Sequence, residues 1–395
     1  MKTNIQAILS VIKIFLYSNK PMIVYDGIKW EEFNHLVEIN SISGIIGYVL
    51  EQSEGIDCPD EIRQLFADAY LSTIAITTIR DEAMKLLIDL LTDNGIDHLL
   101  FKGYVVKDLY TVPELRTYGD IDFVIRQEDR AKCDALMRKN GYQIGDDWEP
   151  VYSYSMGTEH YEVHTELLDS NINERLDYRA YFKDFWDHTK KTAEHTYVFE
   201  PEYHLIYLLM HIAKHLYGSG AGIRMYLDIA FFLREYRDSI DWIHFQKEIE
   251  KLQLSQFVNT VFSAVEEWFD VKSPIPLSTL EPGFMDRFLT FTLNGGVFGF
   301  EGRSSAVTQL RKTASEGSVN RASTLLNRAF PPVKHLKARY TYLQTKPWLL
   351  PAAWIHRLFR KKGTTADYIK ESKELLSAKK DEVVELNELY KNIGI

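Results

Sequence analysis

From Met1 to about Asn94, apolar residues recur three and four positions apart, as in Phe33-Leu36-Val37 and Leu65-Ala69-Leu71. That spacing predicts helices with one buried face. Pro59 and Asp60 open a long helix that runs through Ile79, Met84, Leu87 and Leu91 and stops at Gly95, a natural C-terminal cap. The pattern then changes. Ile96 to Phe101 reads as a short buried strand, Gly103 to Tyr110 as a helix, and Asp120 to Ile125 as a strand rich in β-branched and aromatic residues. A helix over Asp129 to Asn140 ends at Gly141, Tyr142-Gln143-Ile144 turns back toward a sheet, and His160 to Glu166 is a further strand. Beyond about Pro201 the helical period returns in Tyr203 to Tyr217, Ile223 to Tyr236 and Trp242 to Leu252, and continues almost to the end. The expectation is a mostly helical α+β protein. A small mixed sheet, within residues 95–200, lies between a helical domain at 1–94, a second at 201–275 and a C-terminal helical region at 276–395. Ser273-Pro274-Ile275-Pro276 is the clearest punctuation, and Gly295 to Asn320, rich in Gly, Ser and Thr, reads as a loop.

A chain of 395 residues with 45% apolar and 13% aromatic content can build at least one large core. Its net charge of −10 repels polyanions, which argues against bulk nucleic acid as a partner. Cys58 and Cys133 are isolated in sequence, so there is no disulfide framework and no CxxC motif, which suits a reducing cytoplasm. The apolar stretch Ile5 to Tyr17 is interrupted by Lys13 and reads as a buried amphipathic helix rather than a signal peptide. The longest apolar runs, such as Trp348 to Ile355, fall well short of the roughly 20 residues of a membrane-spanning helix. One segment departs from the acidic average. Arg328 to Lys362 holds nine Lys or Arg and no Asp or Glu, with Tyr340, Tyr342, Trp348, Trp354 and Phe359 interleaved. It could contact a membrane surface or an anionic polymer; more simply, it neutralises the acidic remainder while its aromatics pack.

The candidate chemistry sits in Gly119-Asp120-Ile121-Asp122-Phe123. On a strand, Asp120 and Asp122 point to one face while Ile121 and Phe123 face the interior, so the two carboxylates can share divalent cations. Upstream, Phe101-Lys102-Gly103 ends a strand and opens a helix, where Gly103 permits close backbone approach and Lys102 supplies positive charge to a phosphate. The bland alternative is an ordinary strand-to-helix turn. By alternation His160, Glu162, His164 and Glu166 share a face, so Glu162 either completes a three-carboxylate cage or lies on a solvated strand surface. Strand order decides between the two. In His211-Ile212-Ala213-Lys214-His215, spacings of three and four put three polar groups on one side of an apolar helix. They line a site or are paired, for which Asp228 on the next helix is the natural partner.

These residues resemble the uncharacterised nucleotidyltransferase family of the polymerase-β-like superfamily. The resemblance rests on Lys102-Gly103, Arg116, Gly119-Asp120-Ile121-Asp122 and Glu162-Val163-His164, and continues through His211, Lys214-His215, Arg224 and Asp228 to Phe330-Pro331, Arg339-Tyr340 and Leu349-Leu350-Pro351. It implies a nucleotidyltransferase core in which Asp120, Asp122 and Glu162 hold two Mg²⁺ ions, with Mn²⁺ an alternative. Lys102, Gly103, Arg116, Lys214, His215, Arg224 and Asp228 would bind a nucleoside triphosphate, whose monophosphate passes to a hydroxyl of an unidentified small-molecule or protein acceptor. The sequence departs from the wider superfamily at Lys102-Gly103-Tyr104, which replaces glycine-serine or glycine-glycine. That departure motivates the alternative of a nucleotide-binding or scaffold protein that keeps the fold without turnover.

Overall fold

The computed structural model describes residues 1–18, 27–53, 58–148, 150–168, 176–218, 220–297, 299, 310–311, 326, 330–336, 340, 342–360, 377 and 379–395. They form two compact units, Met1–Glu301 and Gly302–Ile393, apart from single residues at the C-terminus. Most of Gly295 to Asn320 and parts of the basic segment 328–362 lie outside the described residues.

The first unit opens with α1 (Lys2–Tyr17), α2 (Trp30–Ile39), α3 (Ser43–Gln52) and the long α4 (Asp60–Asp93). In α1, Ile5, Ile8, Val11, Ile12, Phe15 and Leu16 are buried, which is the amphipathic burial expected of that stretch. Helix α3 presses against α4 through two glycines. A Cβ on Gly47 would lie 2.0 Å from the Phe66 carbonyl oxygen, and one on Gly44 2.7 Å from Thr73 Oγ1. Any side chain there would force the helices apart.

The last third of α4 leaves this bundle for the sheet, where Met84, Leu87 and Leu91 join one core with Ile121, Phe123, Ile125, Tyr161 and Val163. Polar ties fix the join: Arg80 Nε donates to Glu159 Oε2 at 2.9 Å, and Lys107 Nζ lies 3.1 Å from Asp81 Oδ2.

The chain continues through β1 (His98–Leu100), α5 (Lys102–Val106), β2 (Ile121–Ile125), α6 (Arg130–Lys139), β3 (Gln143–Trp148), β4 (Val151–Met156), β5 (Glu159–His164), α7 (Tyr178–Tyr181), β6 (Thr189–Ala193) and β7 (Thr196–Phe199). The helix expected over Gly103 to Tyr110 is instead the five-residue α5 followed by a 3₁₀ turn at Lys107–Leu109. Asp120 lies one position before β2. The seven strands form one mixed sheet in the order β3-β4-β5-β2-β1-β7-β6. Here β2 pairs parallel with β5 and antiparallel with β1, while β1 pairs parallel with β7. The protein is thus mostly helical α+β with a single mixed sheet, as its periodicities predict.

Helices α8 (Pro201–Gly218), α9 (Ile223–Tyr236), α10 (Trp242–Lys251), α11 (Ser255–Phe269) and α12 (Phe284–Gly295) complete the first unit. Fully buried Asn40 ties three of its elements together. Its Nδ2 donates to Leu36 O at 2.8 Å and Leu293 O at 2.7 Å, and its Oδ1 accepts from Ile223 N at 3.5 Å. In the second unit Leu336, Tyr340, Leu343 and Ala353 form a small core. Among the described residues no helix is long and apolar enough to cross a membrane.

Candidate active site

The site grows from the middle of the sheet. Ile121, Phe123 and Ile125 point into the core shared with α4, so alternation turns Asp122 to the opposite face. The parallel register sets Asp122 against Glu162 and Val124 against His164, and Glu162 is therefore the neighbour of Asp122 across the ladder. Strand order thus puts Glu162 beside Asp122 across the sheet. Ligand atoms of Asp122, Glu162 and His164 lie within 4.8 Å of one another. His164 Nε2 is 2.9 Å from Asp122 Oδ1 and 3.5 Å from Glu162 Oε2. Its ring is steadied edge-on by buried Phe101, at a centroid distance of 5.6 Å, and Phe101 itself packs on Tyr207 of α8.

Lys102 closes this cluster. Its Nζ donates to Asp122 Oδ1 at 2.7 Å. It reaches there from a backbone with φ of +54°, the left-handed region that glycine adopts freely and lysine rarely. The turn after β1 thus holds a lysine in the left-handed region, at a cost of about 1 kcal/mol. Burial opposes charge on both partners. For Lys102 the pull of Asp122 outweighs it and raises the ammonium pKa. For Asp122, Lys102 and His164 outweigh it and hold the carboxyl well below the usual range. Asp120 is exposed at the head of β2. Burial of part of its surface and repulsion from Glu162 and Asp122 push its pKa up, so it belongs to the same electrostatic group.

Facing this acidic cluster is a basic one built on α9 and the loop before β2. Arg116 binds Asp228 in a two-pronged pair, Nη2 to Oδ2 at 2.6 Å and Nε to Oδ1 at 3.2 Å, and Tyr110 donates its hydroxyl to Asp228 Oδ1 at 2.7 Å. Both charged residues are buried. Asp228, one candidate partner for Lys214 or His215, is held by Arg116 and Tyr110. Gly103 serves this arrangement directly: a Cβ there would lie 2.0 Å from Arg116 Nη1. The missing side chain leaves room for that guanidinium. Arg224, one turn before Asp228, contacts Thr117 through Nη1, and its buried Nε has no hydrogen-bond partner among the described residues. Burial and the neighbouring Arg116 push its pKa down to about 10, so it stays charged at neutral pH.

Lys102, Gly103, Arg116, Leu208, His211, Ile212, Met225 and Asp228 surround a cavity of about 40 Å³ between the two clusters. His211 stacks on Tyr207, and the His215 ring meets it edge-on at 4.5 Å. Burial, then His215, Lys102 and Lys214, drive the His211 pKa well down, which keeps that ring neutral. Lys214 therefore lies within electrostatic reach of the cavity. One contributor escaped sequence reasoning: Tyr110 meets Asp228 across 118 positions with no local signal. His164 was read as a same-face neighbour of Glu162 and as part of the Glu162-Val163-His164 match, but was given no ligand role.

The sequence pattern of a family described as "Uncharacterised nucleotidyltransferase" matches residues 26–270, which is more than half of the chain. The chain belongs to this nucleotidyltransferase family. Neither curated proteins nor solved structures give a match. The matched span contains every site residue named above, and it ends at the close of α11.

Proposed function

We propose that this nucleotidyltransferase moves a nucleoside monophosphate from a nucleoside triphosphate to a hydroxyl of a small-molecule or protein acceptor, releasing pyrophosphate. The observation that carries this reading is the convergence of Asp122, Glu162 and His164 on adjacent parallel strands, opposite the Arg116–Asp228 pair. The donor set fits a hard or borderline divalent ion: two carboxylates and one imidazole with ligand atoms within 4.8 Å of one another, and Asp120 close enough to be repelled by them. Asp120, Asp122, Glu162 and His164 would hold Mg²⁺ or Mn²⁺. Such ions, when bound, polarise the α-phosphate and favour the ionised acceptor oxygen.

The protein's own groups position and screen. The acceptor oxygen attacks the α-phosphorus, the bond to the bridging oxygen breaks, and pyrophosphate leaves while the hydroxyl proton passes to solvent. Lys102, whose ammonium lies on Asp122 at the mouth of the site, would offer its positive charge to the triphosphate. Arg116, locked by Asp228 and Tyr110, and Arg224 supply fixed positive charge along the helical side, where preorganised dipoles and charges cost no rearrangement during the reaction.

The test is pyrophosphate release by the full chain with each NTP and Mg²⁺ or Mn²⁺, together with labelled-nucleotide transfer to the chain itself and to hydroxyl-bearing acceptors. Release that depends on Asp122 supports the reading; absence of NTP binding in calorimetry overturns it. One observation favours a second reading, a binding protein without turnover: the Lys102 ammonium already sits on Asp122. Tight NTP binding with no pyrophosphate release from any acceptor would select it.

A further inference from the structure

Helix α4 spans 34 residues, about 51 Å, and is apolar on both sides. Its inner side is accounted for by Phe66, Thr77, Met84, Leu87 and Leu91, all buried. A second stripe follows the alternating three-and-four spacing of a coiled-coil seam: Ile62, Leu65, Ala69, Ser72, Ile76, Ile79, Ala83, Leu86 and Leu90. Along this stripe Leu65, Ser72, Ile76, Ile79 and Leu86 are exposed, while Ile62, Ala69, Ala83 and Leu90 are half-buried at its inner edge. Leu65 is 44% exposed, Ile76 51%, Ile79 61% and Leu86 69%, with Leu71 beside them at 63%. Large aliphatic side chains left in water along a straight helix mark an interaction surface rather than scattered surface residues.

Charge decides what covers it. The positions flanking the seam on its solvent side are Glu61, Asp68, Ala75, Glu82 and Asp89, while the opposite flank, Phe66, Thr73, Arg80 and Leu87, is turned into the protein's own fold. A second copy packed antiparallel on the seam would set Glu61 against Asp89 and Asp68 against Glu82, and a parallel copy would find on the inner flank only Arg80, which is already bound to Glu159 and falls opposite Ala75. Like charges at these positions disfavour pairing, and the flanking charges of a coiled coil choose its partner. We propose that the outer face of α4 is a docking site for an amphipathic helix of another protein, one with an aliphatic seam in heptad spacing and lysine or arginine at the flanking positions.

The probe is a designed helix of four heptads with Leu and Ile in the seam and Lys in the flanks, compared with the same peptide carrying Glu flanks. Fluorescence anisotropy against the full chain should show at least ten-fold tighter binding of the lysine peptide, lost by ten-fold or more in Ile79→Ser/Leu86→Ser. Both positions are exposed, and thermal unfolding of the variant reports whether the fold persists. Glu82→Lys/Asp89→Lys should reverse the preference between the peptides without touching the seam. Equal affinity for both peptides, or lysine-peptide binding indifferent to the seam variant, overturns the proposal. So does failure of the lysine peptide to bind, as expected if the chain's own basic segment filled the face. A sedimentation dimer that Ile79→Ser/Leu86→Ser converts to monomer would make a second copy the occupant and overturn it equally.

Discussion

Asp122 and Asp228 are both carboxylates paired with a cation near one small cavity, yet they are held in opposite ways. Asp122 is bound by a single ammonium on a flexible stem and by one imidazole, and it stands among other acids, Glu162 and Asp120. Asp228 is clamped by a planar guanidinium with two bonds and by a phenol, and it stands among other cations, Arg116 and Arg224. The first arrangement can exchange its partner at low cost, because a lysine is a point charge that swings away. The second is rigid, because a bidentate arginine fixes both distance and plane. The difference separates a carboxylate available to a cation from one used to aim a cation.

The largest test of that distinction is a matched pair of substitutions. Asp122→Asn should lower nucleotidyl transfer by about 10³-fold or more, the scale of removing a preorganised charge from the reacting centre, with a smaller loss of stability than at Asp228 because the Lys102 ammonium can turn toward Glu162. Asp228→Ala should do the reverse in emphasis. It leaves Arg116 buried without its counter-ion, which costs about 3–5 kcal/mol of stability, measured as a shift in urea midpoint. If Asp228→Ala unfolds no more easily than Asp122→Asn, the two carboxylates are not distinct in role.

Gly103→Ala attacks the clamp from the other side. The new methyl would sit on Arg116 Nη1, so either the guanidinium or the β1–α5 turn must move. We expect a loss of about 2–3 kcal/mol, within the range for overpacking a buried site, with weaker NTP binding by calorimetry. Unchanged affinity and stability would mean that Arg116 does not need its present position.

The helical class, the central strands and the helix boundaries near Ile223 and Tyr236 were legible because one buried face leaves a clear period in sequence. Strands β4, β6 and β7 were not predicted, since β6, with Thr189, Lys190, Lys191 and Thr192, has almost no apolar pattern to read. In the site, alternation placed Glu162 on a face but could not place that strand beside β2, a fact of topology. The Arg116–Asp228 clamp spans 112 positions, and no local pattern in the sequence announces it. Lys102 is the most instructive position. The sequence marks it as a residue at a strand-to-helix turn, but neither its positive φ nor the reach of its ammonium to Asp122 leaves a trace in the local pattern.

That makes Lys102 a smaller, sharper test. Lys102→Met and Lys102→Gly both remove the ammonium from Asp122, but only the glycine relieves the positive φ. The glycine variant should be the more stable of the two by about 1 kcal/mol. Equal stability would mean that the turn carries no strain worth counting.

The smallest expected effect concerns the rigid side alone. His204 lies on α8 behind the clamp, its ring edge-on to Phe232 at 5.3 Å and its Nε2 without a hydrogen-bond partner among the described residues. Burial lowers its pKa from 6.5 to about 3, against an opposing pull from Asp228. Because the folded pKa lies below the unfolded one, the unfolded chain takes up a proton first as the solution is acidified. The contribution of neutral His204 is therefore complete above about pH 6.5 and is lost progressively between about pH 6.5 and 3. At pH 5.5 the loss from this residue should be roughly 1 kcal/mol relative to pH 7.5. Urea midpoints at the two pH values should differ less in His204→Phe than in the parent, because the phenyl ring has no proton to gain. Parallel pH dependence in the two proteins would show that the site behind the clamp admits a charged imidazole, and that the helical side is less rigid than the Arg116–Asp228 geometry implies.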